Sequence, residues 1–318
     1  MQDDLAHFSE SLTQRCLALT AIETAASRQH AVSWSMLRLD LVDELISGNK
    51  AFKLLPVLQS AYEQGKTTLI SFGGFHSNHI HALAAAGKRF GFTTVGIIRG
   101  YESQPLSPTL LDAQRFGMQL FFVGRQEYKL RNDIDYQKHW QQKFAHSLLI
   151  PEGAADALGL QGAKVLAQLI KSSLAPHAYD AICISAGTGS TAAGLIDSEH
   201  FKATPMYIFS ALDKAALHQL PSELPDYVKV LDEYCGRGFA KTSDELMAFM
   251  VAFERCNSVL LDPVYTAKMC FGINDLIAQG QFKRGSHIVS VHTGGLQGRR
   301  GMNDKLRAFA EKEVGYES

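Results

Sequence analysis

The densest run of ligand-binding residue types in the 318-residue sequence is Gly187-Thr188-Gly189-Ser190-Thr191, between the apolar run Ala181–Ser185 and a helical pattern. Glycines let the backbone turn tightly and come close to a ligand. The helix behind them offers free N–H groups and its positive end to an anion. The hydroxyls of Thr188, Ser190 and Thr191, crowded into four positions, add donors for the several oxygens of one phosphate group. A Walker A loop is excluded, because Gly-Lys-Ser/Thr is absent from the segment. Gly187-x-Gly189-x-x-Ala192 fits a dinucleotide fingerprint loosely, with Asp213 after the next strand, but that form does not explain the hydroxyl density. The plain alternative is a tight strand-to-helix turn with capping hydroxyls. Phosphate binding is the reading adopted.

A second segment, Ser71-Phe72-Gly73-Gly74-Phe75-His76-Ser77-Asn78-His79-Ile80-His81, places Ser77 and Asn78 where N-caps sit, ahead of a helix to Phe90. Backbone N–H groups there suit a substrate carboxylate. The histidines invite a zinc hypothesis. However, His76 and His79 straddle the loop–helix junction, His79 and His81 face different sides of a helix, and no Cys or carboxylate completes a set. No metal is expected, and a histidine-rich cap is the bland alternative. The third segment, Ser47-Gly48-Asn49-Lys50-Ala51-Phe52-Lys53-Leu54, puts Lys50 on the first turn of a helix, where its charge opposes the dipole. That conflict is cheap for a solvated lysine. It disappears if the lysine is uncharged, for example as an imine with a carbonyl cofactor.

Elements at the right intervals must carry these segments. Candidate strands are Thr67–Ser71, Thr94–Ile98, Gln119–Val123, Ala181–Ser185, Met206–Ser210, Val228–Leu231, Val259–Leu261 and Ile288–Val291. Several are continuous apolar runs, as expected of parallel strands covered on both faces. Helical patterns lie between them: Lys50–Glu63, Ser77–Phe90, Leu106–Phe116, Leu160–Leu174, Asp244–Phe253, Thr266–Gln279 and finally Met302–Glu313. This alternation predicts an α/β fold with a mainly parallel sheet, in which ligands bind at the carboxyl ends of strands. Chain breaks are expected near Ile150-Pro151-Glu152-Gly153, after the polar stretch Arg125–His146, and at Ser47-Gly48-Asn49.

Composition narrows the partners. Lys+Arg total 31 against 32 for Asp+Glu, so no basic excess points to nucleic acid or a membrane surface. The five cysteines are scattered without a Cys-x-x-Cys pair, which argues against a disulfide framework or zinc ribbon. The start lacks a basic and then apolar leader pattern, and no run approaches a membrane span, so a cytoplasmic location is expected.

In order, these segments resemble the family of 1-aminocyclopropane-1-carboxylate deaminase and D-cysteine desulfhydrase, pyridoxal-phosphate enzymes of the tryptophan synthase β fold type. The family's Gly-Asn-Lys-x-x-Lys-Leu stands as Gly48–Leu54, and its Gly-Gly-x-x-Ser-Asn as Gly73–Asn78. Its phosphate loop Thr-Gly-Ser-Thr stands as Thr188–Thr191, its Asp-Pro-Val-Tyr as Asp262–Tyr265, and its His-Thr-Gly-Gly as His292–Gly295. The resemblance implies a homodimer of two-domain subunits, with open twisted mainly parallel sheets, flanking helices and pyridoxal 5′-phosphate between the domains. The large domain would comprise residues 1–52 and 152–318, and the small domain residues 53–151. Lys50 would form the internal Schiff base and then act as base on the substrate Cα–H. Asn78 would bond the pyridoxal 3′-oxygen, and Gly187, Thr188, Gly189, Ser190 and Thr191 would hold the phosphate. Tyr265 would lie against the ring, Ser77 would grip the carboxylate of a small amino-acid substrate, and Thr266 would face the pyridine nitrogen.

Position 266 separates subfamilies. The cyclopropane deaminases carry Glu there, which keeps the ring nitrogen protonated, whereas a threonine hydroxyl supplies no compensating charge. Thr266 therefore leans toward α,β-elimination as in D-cysteine desulfhydrases, giving pyruvate, ammonia and sulfide. Ring opening, racemisation, β-replacement and a cofactor-binding protein with drifted catalysis are the alternatives. Further departures are Gly238-Phe239-Ala240 where the family has a second tyrosine, His76 in place of Gln, and Leu37-Arg38-Leu39-Asp40 for Lys-Arg-Glu-Asp.

Overall fold

The computed structural model describes residues 2–212, 216–236, 242–303, 305–308 and 310. The chain opens with α1 (Gln2–Thr13), β1 (Leu19–Ile22), α2 (Ala25–Gln29) and β2 (Ser33–Arg38). Next come α3 (Asn49–Glu63), β3 (Thr68–Gly74), α4 (Asn78–Phe90), β4 (Thr93–Arg99), α5 (Pro108–Arg115) and β5 (Gln119–Val123). They lead into α6 (Arg125–Tyr128), α7 (Ile134–Gln142), β6 (Ser147–Ile150) and α8 (Ala157–Leu174). The remainder holds β7 (Ala181–Ala186), α9 (Ser190–Asp197), β8 (Met206–Ser210), β9 (Val228–Leu231), α10 (Asp244–Asn257), α11 (Thr266–Ala278), β10 (His287–His292) and α12 (Leu296–Arg299).

The chain divides into two units, one of Met1–Arg15 with Asp43–Val165 and one of Cys16–Val42 with Leu166–Ser318. These divisions differ from the boundaries expected at 52/53 and 151/152. The Pro/Gly break at Pro151–Gly153 lies inside the first unit, because Ser71 in the middle of β3 bonds the Ile150 carbonyl and Lys53 bonds that of Gly153. The later division falls within α8, where no breaker residue marks it.

The first unit is built on a four-stranded sheet in the order β5-β4-β3-β6, with every pairing parallel. β3 and β4 are buried along nearly their whole length, as their continuous apolar runs require. Ile70, Phe72, Val95, Ile97 and Val123 pack with Tyr128 of α6 and Trp140 of α7. The polar stretch read as a break thus supplies helices that cover one face of this sheet. α3 is buried on all sides from Ala51 to Leu58. Inside it Pro56 has no N–H for the Phe52 carbonyl four residues back. α8 crosses at that carbonyl: a methyl group on Gly162 would lie 2.1 Å from Phe52 O and 2.8 Å from Lys53 Cα.

The second unit carries a six-stranded sheet in the order β1-β2-β10-β7-β8-β9. Only β1 with β2 runs antiparallel; the other four pairings are parallel. The last strand in sequence is therefore central, flanked by β2 and β7. Its core gathers Trp34, Met36, Cys183, Phe209, Met250, Met269 and Ile273. β1, β2 and β6 went unread in the sequence because they are short or interrupted by Ser and Arg.

One expected strand is absent. Val259–Leu261 is apolar enough, yet side chains take its backbone groups. His292 bonds the Leu260 carbonyl at 2.8 Å, Arg299 the Leu261 carbonyl at 3.0 Å, and Glu254 accepts the Leu261 N–H at 3.1 Å. The Met302–Glu313 helix lies partly outside the described residues.

The close crossing at Gly162 sets an expectation for stability. Gly162→Ala must move α8 off the α3 backbone and should destabilise the chain by about 1–3 kcal/mol. A urea midpoint unchanged from the parent would show that α8 does not press on α3 as described.

Candidate active site

In the first unit, Gly48 adopts φ 65° and turns the chain into α3, so Lys50 occupies the first helical turn. The residue is half-buried, and the crowding around its amine pushes the ammonium down to about 8. Its Nζ lies 3.3 Å from Asn49 Oδ1. One turn on, Lys53 is buried and donates to the Gly153 carbonyl. Burial, with the Lys50 charge added, pushes its ammonium well below the ordinary lysine value, while Asp156 opposes the shift.

Ser77 caps α4 by accepting the Ile80 N–H at 3.3 Å. That bond uses an oxygen lone pair and leaves the hydroxyl proton to be donated elsewhere. Gly73 permits the turn, since a methyl group there would meet Ser77 Oγ at 2.8 Å. Asn78 is the first residue of α4 and is half-buried. Two of the neighbouring histidines, His79 and His81, each engage another side chain through Nε2. Ser71 donates to the Ile150 carbonyl at 2.7 Å, so its contact with His79 at 2.8 Å must be donated by His79 Nε2. Burial, followed by the charges of Lys50 and Lys53, holds His79 well below the ordinary histidine value. His81 meets Asp112 at 3.3 Å.

In the second unit, β7 ends at Ala186 and the chain enters Gly187-Thr188-Gly189 before α9. Gly189 adopts φ 89°, a left-handed conformation that favours glycine. A methyl group on Gly187 would lie 3.1 Å from the Tyr265 ring and 3.3 Å from its hydroxyl oxygen, so the loop and the phenol end of Tyr265 are in close approach. Thr188 and Ser190 hydroxyls are 3.2 Å apart, and Ser190 and Thr191 are buried on the first turn of α9. Beside them, Ser210 at the end of β8 pairs in register with Ala186, and its buried hydroxyl has no partner. Sequence reading missed Ser210, because only the register of β7 with β8 brings it beside the glycine loop.

Asp262 organises the turn into α11. Its carboxylate accepts the N–H groups of Val264 at 3.0 Å, Tyr265 at 2.9 Å and Thr266 at 2.8 Å. Thr266 is fully buried; its hydroxyl donates to Asp262 Oδ2 at 2.8 Å and accepts the Asp262 N–H at 2.8 Å. Arg38 and Asp40, from the segment that departs from the family's Lys-Arg-Glu-Asp, form a two-pronged pair with each other at 2.9 and 2.7 Å. Asp213 and Phe239 lie outside the described residues. Among the described residues no helix is long and apolar enough to cross a membrane.

Residues 27–294 match the family described as pyridoxal-phosphate dependent enzyme. The chain belongs to this pyridoxal-phosphate-dependent family. A relative from Thermotoga maritima is 29% identical over 283 residues, covering 82% of this chain and 88% of that protein. One from Pyrococcus horikoshii is 27% identical over 303 residues, covering 88% and 90% respectively. Both are named as candidate 1-aminocyclopropane-1-carboxylate deaminases, which agrees with the expected kinship. Among solved structures, a 1-aminocyclopropane-1-carboxylate deaminase homologue superposes with a TM-score of 0.77 at 22% identity, covering 97% of this chain and 100% of that one. O-ureido-L-serine synthase gives 0.68 at 12% identity, with 93% of each chain covered. These place the chain in the tryptophan synthase β-like fold.

Each unit taken by itself fits a part of such a cofactor. In the first, Lys50 is an amine that burial has made easy to deprotonate, which suits an aldehyde. In the second, Gly187 leaves room beside the Tyr265 ring and the Ser210 hydroxyl is an unused donor beside the loop, which suits a phosphate.

Because burial disfavours the ammonium form, Lys50 is neutral at a lower pH than an ordinary lysine. The rate at which the apo-protein takes up pyridoxal phosphate should therefore rise with pH and level off above about 8. A rate that keeps climbing toward the ordinary lysine value of about 10.4 would overturn this assignment.

Proposed function

We propose that this enzyme is a lyase that deaminates a small amino acid by α,β-elimination, with D-cysteine the substrate its site suits best. The balanced reaction takes D-cysteine and water to pyruvate, ammonia and hydrogen sulfide. The observation that carries this reading is Thr266: a buried hydroxyl stands where the cyclopropane deaminases carry a carboxylate. Expelling a thiolate demands less storage of negative charge than opening a carbon ring, so a weaker partner at that position suffices.

When bound, pyridoxal phosphate supplies an aldehyde that joins to amines and a ring that draws electrons from the neighbouring carbon. The chain's own residues do the rest. Lys50 holds the cofactor and, once released, takes the proton from the substrate Cα. An amine titrating near 8 can both accept and return that proton at neutral pH. Ser77 donates its free hydroxyl proton to the substrate carboxylate, assisted by the positive end of α4. Asn78 bonds the 3′-oxygen. The loop Gly187, Thr188, Gly189, Ser190 and Thr191 receives the phosphate on backbone N–H groups and hydroxyls. Tyr265 covers the ring and excludes water. The five cysteines, all free, support a reducing cytoplasmic setting, and the family resemblance supports a homodimer.

The names of the relatives favour a second reading, ring opening of 1-aminocyclopropane-1-carboxylate. Incubation with D-cysteine, L-cysteine, D-serine and 1-aminocyclopropane-1-carboxylate separates the two. Sulfide and pyruvate should come from D-cysteine, while Lys50→Ala should be colourless and inactive. A 2-oxo acid from the cyclopropane substrate alone would reverse the order. Turnover of none of the four would defeat both readings.

A further inference from the structure

We infer that Arg99 is a catalytic residue of the proposed elimination, its guanidinium receiving the hydrosulfide that leaves the substrate. The inference rests on the function proposed above and adds to it the group that takes up the charge of the departing sulfur.

Topology places Arg99 at the ligand-binding edge of the first unit. β3, β4 and β5 follow one another across the sheet, whereas β6 returns to the other side of β3. Ligands of open parallel sheets bind outside the carboxyl ends of the strands at such a reversal. Gly74 ends β3 and pairs in register with Arg99, which ends β4. The Gly74 carbonyl accepts the Ser77 N–H at 3.0 Å, so one tight turn leads from there to the cap of α4. Lys50 lies near the same helix start: after burial, its charge is the largest influence holding His79 below the ordinary histidine value. The edge is open where Arg99 stands. Chain neighbours aside, a methyl group on Gly74 would find a single atom within 4 Å, Arg99 Nη2 at 3.8 Å, whereas Ile80 and Ser77 fill the corresponding space at Gly73. Arg99 is exposed, with its guanidinium 5.8 Å from the centre of the buried Tyr128 ring. Arg131 meets the same ring at 5.1 Å, but its charge is answered by Glu152 at 2.6 Å. Among the described residues no carboxylate pairs with Arg99.

α,β-Elimination creates one negative charge that the substrate does not carry. The substrate carboxylate has its own donors, the Ser77 hydroxyl and the start of α4. When the Cβ–S bond breaks, both of its electrons go to sulfur, which leaves as hydrosulfide. The Cα proton passes to Lys50 and from there to solvent, and the hydrosulfide gains a proton from solvent as it departs. An accessible, unpaired guanidinium offers that anion N–H donors and a full opposite charge. The contact forms only as sulfur becomes charged, so it lowers the barrier without tightening substrate binding. Arg99 carries no signal in the sequence, since only the pairing of β3 with β4 sets it beside Gly74.

The test gives the full chain, loaded with pyridoxal phosphate, D-cysteine and β-chloro-D-alanine, whose chloride leaves without assistance. Arg99→Gln should lower the ratio of kcat on D-cysteine to kcat on β-chloro-D-alanine by about 10-fold to 100-fold, the contribution of one hydrogen bond to a charged group. KM for D-cysteine should change little. Arg99→Lys, which keeps the charge, should restore most of the ratio. Both variants should melt with the parent, as the side chain is exposed. An unchanged ratio, or a loss confined to KM, overturns the role of Arg99 and leaves the proposed function standing. A parent that turns over β-chloro-D-alanine but not D-cysteine defeats the proposed substrate, and inhibition of that turnover by iodide then decides. A half-inhibiting iodide concentration that rises about 10-fold in Arg99→Gln sustains the anion site, and an unchanged one overturns it. Turnover of neither compound defeats the lyase reading and the role of Arg99 with it.

Discussion

A lysine whose ammonium is pushed down to about 8 must be largely kept from water, and the first unit is arranged to do this at Lys50. Two effects act in the same direction there. The first turn of a helix disfavours a positive charge, and burial disfavours any charge. The rest of α3 is sheathed accordingly, buried from Ala51 to Leu58. A helix buried all round must leave its neighbours room to reach its backbone, and Pro56 with Gly162 provides it. Proline removes the N–H that would have served the Phe52 carbonyl, and glycine lets α8 come down on that spot. Lys53 would be a second buried charge in this setting. Its amine is instead spent on the Gly153 carbonyl, which also ties α3 to the segment after β6.

The second unit solves a different problem with related means. Its loops collect where β7, β8 and β10 end, and each loop must satisfy its own backbone while leaving donors for a ligand. The solution assigns side chains to the structural bonds. Asp262 takes the N–H groups at the start of α11, and His292, Arg299 and Glu254 take the chain before it. Ser185 and Thr293 meet at 3.2 Å between the neighbouring strand ends. On the proposed reading the glycine loop after β7 offers N–H groups and hydroxyls to a phosphate; its Gly187 lies close against Tyr265, and its Thr188 carbonyl accepts the Gln219 N–H at 3.1 Å. Anion binding of this kind needs no basic patch, which agrees with a chain of 31 basic and 32 acidic residues.

Much of this was legible in the sequence, for reasons that differ by element. The strands β3, β4, β7, β8 and β10 announce themselves as short apolar or β-branched runs because they are covered on both faces, whereas the edge strands β5 and β9 are part-exposed and read only from their β-rich residues. Lys50, Ser77, Thr188 and Thr266 were legible as residue types at loop–helix junctions. The stretch Val259–Leu261 misled, because a strand is defined by what its backbone pairs with, and here the partners are side chains distant in sequence. The division within α8 left no mark, since a helix passing from one cluster of contacts to another needs no breaker. The orphaned hydroxyl of Ser210 was equally silent: only the register of β7 with β8 brings it beside the glycine loop.

How a protein places negative charge near an electron-withdrawing ring bears on which reactions it favours. A carboxylate in direct contact would hold the ring nitrogen protonated and keep its full charge there. Thr266 instead carries a hydroxyl bonded to the Asp262 carboxylate at 2.8 Å, so the formal charge stands a bond further away. On the proposed reading this gives the cofactor an intermediate electron demand. That level is enough when a thiolate departs as soon as charge gathers at Cα. It is less suited to a ring opening that must hold the charge while a carbon–carbon bond breaks. On the proposed reading, the choice between the two reactions turns on how directly a carboxylate stands at position 266.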